Sequence, residues 1–312
     1  MKWKLKDLLD LENLTAEEIE YILQTAKPMK EILARPIKKL PTLRGKSVVL
    51  LFYESSTRTR TSFETAAKIL GADTTNFTVA QSSITKGESL LDTAKTIQAM
   101  NVDLVIIRHS SSGAAEFLAN TLEASVINGG DGQHAHPTQA LLDFFTIQDK
   151  IGDIKGKKVV IVGDILHSRV ARSNVLGLKK LGAEVTLVGP PTLLTPEMGY
   201  LGVKLSHNLD SELPGADVVM ALRLQLERQQ SGLFPSIREY SKLYGLNKER
   251  IKKTGKETII MHPGPMNRGV EIASDLADSV QSVIEEQVTN GVAVRMALIY
   301  LLIGGGTVNV VD

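Results

Sequence analysis

The chain has 312 residues, which exceeds one typical domain and predicts two. Hydrophobic residues make up 43% of it and charged residues 23%, as in globular proteins with a full core. A formal net charge of +1 argues against a nucleic-acid partner, so any anion site must be local. The sequence has no cysteine, which excludes disulfides, Cys-ligated metals and thiolate catalysis and fits a cytoplasmic location.

We expect neither a targeting segment nor a membrane partner. Residues 1–15 carry charges throughout and contain no apolar signal core. The apolar stretch 292–303 is interrupted by Arg295 and is too short to cross a bilayer.

Apolar periodicity predicts strands that alternate with helices through the first half of the chain. Thr15 and Glu18 have capping-box spacing and begin a first helix. Alternation of this kind is typical of an α/β unit built on a parallel sheet. The predicted elements that follow are strand 47–53, helix 57–70, strand 74–79, helix 88–99, strand 103–107, helix 113–120, strand 124–127 and helix 137–148.

A polar, glycine-containing segment at 149–153 predicts a domain boundary, after which the pattern restarts. The sequence predicts α/β architecture with two doubly wound, parallel-sheet domains joined by helices. The domains are 1–148 with the C-terminal helix 288–312, and 149–287. The second-half elements are strand 158–162, helix 168–181, strands 184–188, 217–221 and 258–261, and a last helix 283–302 that we expect to pack on the first domain.

A cluster of hydroxyls and guanidinium groups stands where strand 47–53 runs into its helix. Ser56, Thr57, Arg58 and Thr59 occupy the first turn, where free N–H groups and the helix dipole favour an anion. Charge-assisted donors of this kind suit a phosphate. Taken alone, the hydroxyls fit ordinary N-caps equally well.

The turn after strand 158–162 superficially resembles a dinucleotide-binding turn. Only Gly163 follows the strand, whereas the dinucleotide fingerprint needs three glycines. Asp164, His167, Ser168 and Arg169 stand there instead. This junction therefore suits a small anionic group.

Other candidate site residues stand in loops or at strand ends. Lys86 in the loop 81–88 and Arg108 at a buried strand end have bland alternatives, a solvated lysine and a structural ion pair. Arg223 and Gln225 follow the apolar strand 217–221. Gly264 and Pro265 follow strand 258–261 and offer carbonyl acceptors, although a simple Pro/Gly turn explains them as well.

His136 precedes Pro137, which suits the first position of a helix, so we expect His136 to be the N-cap. A neutral imidazole there can donate a hydrogen bond to a carbonyl oxygen. A metal site on His134 and His136 is disfavoured because further ligands at familiar spacing are lacking. We expect no metal and no cofactor.

The order of these motifs resembles the aspartate/ornithine carbamoyltransferase family, and within it the aspartate carbamoyltransferase catalytic chains. The resemblance covers essentially the whole chain. One departure is Gly264, where many relatives carry leucine. The shared motifs are Phe52–Arg60, Lys86–Glu88, Arg108–His109, Gly130–Asp143, Gly163–Asp164 with Arg169, Arg223–Arg228 and His262–Pro265.

The resemblance implies carbamoyl transfer from carbamoyl phosphate to the α-amine of L-aspartate, giving N-carbamoyl-L-aspartate and phosphate in pyrimidine (UMP) biosynthesis. Carbamoyl phosphate would be bound by Ser56, Thr57, Arg58, Thr59, Arg108, His136, Gln139, Gly264 and Pro265. Aspartate would be bound by Lys86, Arg169, Arg223 and Gln225. The catalytic residues would be Arg58, Thr59, Lys86, Arg108 and His136.

The resemblance also implies a homotrimer, with the active site in the interdomain cleft and at the subunit interface, where a neighbour donates Ser82 and Lys86. It implies a cis peptide bond at Gly264–Pro265. A regulatory chain and a dihydroorotase partner are left open. The alternatives are an ornithine or other amino-acid carbamoyltransferase and a catalytically silent scaffold paralogue. The first is disfavoured because Thr138 replaces the cysteine common in ornithine enzymes, the second because Arg58, Lys86, Arg108 and His136 are all present.

Overall fold

A computed structural model describes residues 3–78, 88–225 and 236–304. The chain forms two compact units, Met1–Leu141 with Thr289–Asp312, and Leu142–Val288. We call them unit 1 and unit 2. In the described parts of the chain, no helix combines the length and apolar character needed to cross a membrane.

Unit 1 alternates strands and helices as the sequence predicts. The Thr15–Glu18 capping box is present at the start of its first helix. Its elements are α1 (Ala16–Ala34), β1 (Ser47–Phe52), α2 (Thr57–Ile69), β2 (Asp73–Thr78), α3 (Leu90–Ala99), β3 (Leu104–His109), α4 (Ala114–Thr121), β4 (Ser125–Asp131), the start of α5 (Pro137–Ile151) and most of α11 (Ile284–Ile303).

The four strands of unit 1 form a parallel sheet in the order β2-β1-β3-β4. The apolar runs of β1, β3 and β4 are buried, and one face of the sheet packs on α3 and α4. The last helix, α11, contacts α2: Arg295 Nη1 donates to Ser62 Oγ at 2.7 Å. Its guanidinium group lies 5.0 Å from the centre of the Phe63 ring. Both contacts lie behind the helix that carries Ser56–Thr59.

Unit 2 contains a second parallel sheet, in the order β7-β6-β5-β8-β9. One face packs against a cluster of apolar side chains from the helices that follow these strands. The elements are the end of α5, β5 (Lys158–Val162), α6 (Arg169–Lys180), β6 (Glu184–Val188), β7 (Lys204–Ser206), α7 (Leu209–Glu212), β8 (Val218–Ala221), α8 (Ile237–Tyr244), α9 (Lys248–Lys252), β9 (Ile259–Met261), α10 (Ser274–Ala277) and the start of α11.

The predicted fold class of two parallel-sheet α/β domains is confirmed. Two predicted ends were wrong by three or more residues. The strand expected to end at 127 continues to Asp131, and the helix expected to end at 148 continues to Ile151. Residues 149–151 of the polar segment therefore belong to the end of α5, where Lys150 pairs with Glu286 at 2.6 Å.

Candidate active site

In unit 1 the strand order reverses direction between β1 and β3, because β2 lies outside β1 and β4 outside β3. Phe52 and Arg108, at the ends of these neighbouring strands, are paired in register. Ligands of open parallel sheets bind at such a switch point, beyond the carboxyl ends of the strands. The predicted phosphate cluster follows the end of β1, and Arg108 lies at the end of β3.

The first turn of α2 lacks the side-chain hydrogen bond that usually caps a helix. Ser56 is the N-cap residue, yet its hydroxyl makes no capping hydrogen bond, and the first turn has no acidic residue. Thr57 and Arg58 are exposed, whereas Thr59 is buried. The ordinary N-cap interpretation is therefore not supported, and the turn offers N–H groups, hydroxyls and a guanidinium group to an anion.

Contacts with Glu54 and Gly129 hold Arg108 in place. Its Nε lies 3.3 Å from Glu54 Oε2, and its Nη1 donates to the Gly129 carbonyl at 3.2 Å. Its side chain is only 14% exposed. These contacts restrict its rotamers at the mouth of the switch point.

The loop between β4 and α5 is organised around Asp131. This carboxylate accepts from Asn128 Nδ2 and Gly113 N, both at 2.7 Å, and lies 3.1 Å from His134 Nδ1. Burial acts to raise the pKa of Asp131, but the hydrogen bonds outweigh it and the pKa is lowered. The hydrogen bond between Asp131 and His134 raises the pKa of His134.

The two histidines of this loop have different surroundings. His134 pairs with Asp131, whereas His136 is buried immediately before Pro137, the first residue of α5. The His136 carbonyl accepts from Gln139 N at 3.1 Å, and the Gln139 side chain is buried as well. Within the described residues, no group of three or more acidic, histidine or cysteine side chains could hold a metal ion.

In unit 2 the strand order reverses between β5 and β8. Gly163, directly after β5, has φ +143, and a Cβ there would lie 2.9 Å from Leu222 Cβ and 3.0 Å from the Leu222 carbonyl oxygen. Glycine therefore lets the ends of β5 and β8 approach closely. This approach sets Arg223 and Gln225 beside the turn that leads to Arg169.

Of the predicted aspartate ligands of unit 2, Gln225 is hydrogen-bonded to the turn that precedes Arg169. Gln225 Nε2 donates to the His167 carbonyl at 3.2 Å. The His167 ring pairs with the buried Asp164 at 2.8 Å, two residues before the buried Arg169. Arg223 is half-buried at the end of β8.

The Gly264–Pro265 peptide bond is cis, as predicted. Gly264 has φ +62, which suits glycine, and its N–H donates to His262 Nδ1 at 2.8 Å. Both residues follow β9 at the edge of the sheet that carries Arg169, Arg223 and Gln225. The predicted neighbour-donated residues, Ser82 and Lys86, lie outside the described residues.

Sequence reasoning missed Glu271. This buried carboxylate accepts from Leu224 N at 2.9 Å, Asn267 N at 2.7 Å and Asn267 Nδ2 at 2.6 Å. It thus connects the segment after β8 with the segment after β9. Burial raises the pKa of Glu271. No motif marked it, because two of its three donors are backbone N–H groups.

Two family models match the chain. Residues 6–149 match the carbamoyl-P binding domain of aspartate/ornithine carbamoyltransferases. Residues 155–302 match the Asp/Orn binding domain of the same family.

Relatives and solved structures agree with this match. The aspartate carbamoyltransferase catalytic subunit of Desulfitobacterium hafniense is 72% identical over 312 residues, covering all of both chains. Aspartate transcarbamoylase from Trypanosoma cruzi, in complex with carbamoyl phosphate and aspartate, has a TM-score of 0.86 and 28% identity, covering 96% of this chain and 98% of that one. Ornithine carbamoyltransferase from Pyrococcus furiosus has a TM-score of 0.86 and 33% identity, covering 98% and 99%.

Proposed function

The chain belongs to the aspartate/ornithine carbamoyltransferase family, and we infer that it transfers the carbamoyl group of carbamoyl phosphate to the α-amine of L-aspartate. The products are N-carbamoyl-L-aspartate and phosphate, a step of pyrimidine biosynthesis. The observation that carries this function is the uncapped first turn of α2 beside Arg108, a ready anion site at a switch point.

The phosphate of carbamoyl phosphate lies on the first turn of α2. Ser56, Thr57, Arg58 and Thr59 donate hydrogen bonds to its oxygens. Arg108 bridges phosphate and carbonyl oxygen, supported by its contacts with Glu54 and Gly129. The fixed guanidinium group costs little reorganisation when negative charge develops.

The carbamoyl group is polarised at its oxygen and held at its nitrogen. Thr59, Arg108 and His136 donate toward the carbonyl oxygen and stabilise the tetrahedral oxyanion. The Gln139 side chain and the carbonyls of Gly264 and Pro265 accept from the NH₂ group.

L-Aspartate is bound through its carboxylates by Arg169, Arg223, Gln225 and Lys86. Two hydrogen bonds stabilise the segment that carries Arg223 and Gln225. Gln225 Nε2 donates to the His167 carbonyl, and Leu224 N donates to the Glu271 carboxylate. The two substrates together carry about four negative charges, and the positively charged arginines stabilise these charges. The α-amine attacks the carbonyl carbon, a C–N bond forms, the C–O bond to phosphate breaks and the amine loses a proton. Positioning and electrostatics suffice for this acyl transfer, so no covalent nucleophile is required.

A ureido-product assay tests the substrate. The purified chain is given carbamoyl phosphate with aspartate and, separately, with ornithine. We expect product with aspartate and none with ornithine, since Arg223 and Gln225 suit a second carboxylate. Product with ornithine would identify an ornithine carbamoyltransferase, and no product with either amine would favour a silent scaffold.

Arg223→Ala tests the assignment of the aspartate site. We expect the KM for aspartate to rise at least tenfold while the KM for carbamoyl phosphate stays nearly unchanged, because a charge-assisted pair is lost. Arg268→Ala is the matched control, since Arg268 pairs with Asp278 on the surface of the same unit. Equal KM values for aspartate in both variants would contradict the assignment.

We further propose a cytoplasmic homotrimer in which each site takes Ser82 and Lys86 from a neighbouring chain. A cyclic trimer has three equivalent heterologous contacts, so each site can combine one phosphate cradle with one neighbouring loop. When Arg58→Ala and Lys86→Ala chains are mixed by dissociation and reassembly, each mixed trimer contains one junction free of lesions. Activity should then rise above that of either variant alone. Mixed trimers that stay inactive would mean that Lys86 acts within its own chain.

A further inference from the structure

Two motif residues have no task in the proposed reaction. Asp143 ends the segment Gly130–Asp143, and His262 begins the segment His262–Pro265. Both are buried in unit 2, and a third buried side chain, Gln287 of α11, joins them. Gln287 Nε2 donates to Asp143 Oδ1 at 2.8 Å, and Gln287 Oε1 accepts from His262 N at 3.0 Å.

The partners of Gln287 fix the orientation of its amide group. The backbone N–H of His262 can only donate, and the Asp143 carboxylate accepts. The other Asp143 oxygen accepts from Asn174 Nδ2 at 2.9 Å. His262 Nδ1 in turn accepts from Gly264 N at 2.8 Å. A continuous chain of hydrogen bonds thus runs from α6 to Gly264, which is the first residue of the cis bond.

We propose that Gln287, oriented by Asp143, is a positioning residue that sets the place of the His262–Pro265 loop. It thereby sets the carbonyl oxygens that receive the NH₂ group of carbamoyl phosphate. This role rests on the proposed function, in which Gly264 and Pro265 supply those carbonyls. Hydrogen bonds are strong in a buried network and restrict the segments that they join, and losing one member leaves further buried groups unsatisfied.

The test uses the preference for carbamoyl phosphate over acetyl phosphate, in which CH₃ replaces NH₂. Gln287→Met keeps the length of the side chain and removes both hydrogen bonds. We expect the ratio of kcat/KM for the two acyl phosphates to fall about tenfold, because a site built to accept from NH₂ discriminates strongly only while its acceptors are in place. Inhibition by inorganic phosphate should stay within about twofold, since its cradle lies in unit 1.

Thr258→Val is the matched control. Thr258, just before β9, also makes a buried hydrogen bond, from its Oγ1 to the Ala216 carbonyl at 2.8 Å. Losing that bond lowers stability without touching the loop. The acyl-phosphate ratio should therefore keep its wild-type value in this variant.

A polarity exchange provides the rescue. Gln287→Glu sets two carboxylates against each other across 2.8 Å. Asp143→Asn sets an amide NH₂ against one of two donors. In the double variant D143N/Q287E, the introduced carboxylate accepts from both His262 N and the introduced amide NH₂, and the amide oxygen still accepts from Asn174. Each single variant should lose the acyl-phosphate preference, and the double variant should recover it to within about threefold.

A wild-type ratio in Gln287→Met and Gln287→Glu would overturn the positioning role. So would a double variant no better than the single ones, or a Thr258→Val ratio that falls equally. A wild-type chain that forms no ureido product from aspartate would instead overturn the proposed function, and the positioning role with it.

Discussion

Replacing Gly163 with alanine should damage aspartate binding from behind the site. A Cβ at this position would lie 2.9 Å from Leu222 Cβ and 3.0 Å from the Leu222 carbonyl oxygen, where ordinary contacts begin near 3.4 Å. Both neighbours belong to the backbone or lie next to it, so no side-chain rotation relieves the contact. Leu222 is itself buried and precedes Arg223.

The magnitude follows from two costs. Overpacking a buried position costs about 1–3 kcal/mol. The positive φ of +143 adds a backbone cost of roughly 1–3 kcal/mol for a residue with a Cβ. Relief requires the end of β8 to move by about half an ångström or more, and Arg223 moves with it. Misplacement of about 1 Å can cost on the order of a hundredfold in rate.

The assay measures initial rates against aspartate at saturating carbamoyl phosphate, together with urea unfolding. We expect the KM for aspartate to rise at least tenfold and phosphate inhibition to stay unchanged. Gly156→Ala is the control, because Gly156 also has a positive φ, +73, but nothing within 4 Å of its Cβ position. If Gly163→Ala and Gly156→Ala share one KM for aspartate, the close approach of β5 and β8 does not set Arg223, and the reasoning fails.

His134 and Glu271 should each make the stability of the protein depend on pH. The raised pKa of His134 contributes stability that is present at low pH and lost as pH rises through the folded-state pKa. His134→Asn should therefore lower the unfolding free energy at pH 5.5 but not at pH 8.5. The loss should not exceed about 1 kcal/mol, because the His134 side chain that pairs with Asp131 is half-exposed. A pH-independent gap would contradict this. The raised pKa of Glu271 makes stability fall as pH rises above the usual glutamate pKa of about 4.3. Glu271→Gln should abolish that fall in urea titrations, and a slope equal to the wild type would exclude Glu271 as its source.

Most of the strands were predictable because parallel strands buried on both faces are continuous apolar runs. The three-residue edge strand β7 was not predicted. Strands 158–162 and 184–188 agree with the structure at both ends. The end of β4 was predicted wrongly because residues 128–131, its second half, are polar or glycine and yet are buried. Asn128 makes this acceptable by donating to Asp131 and to the Leu9 carbonyl.

Candidate site residues could be predicted where charged groups lie at or after strand ends, as Arg108 and Arg169 do. The supporting groups were not readable. Glu271 and Gln287 act on backbone N–H groups 47 and 25 residues away, and backbone donors leave no trace in the side-chain sequence. Such partners are known only once the topology has brought distant segments together.

The order in which the chain is synthesised has a consequence for unit 1. Unit 2 is one continuous stretch, but unit 1 is completed by α11, the last helix the structure describes. Arg295 reaches α2 only after some 230 further residues have followed Ser62. Domains generally fold as units during synthesis. During synthesis, unit 2 can therefore fold while α2, the helix that carries Thr59, has not yet made its contact with α11.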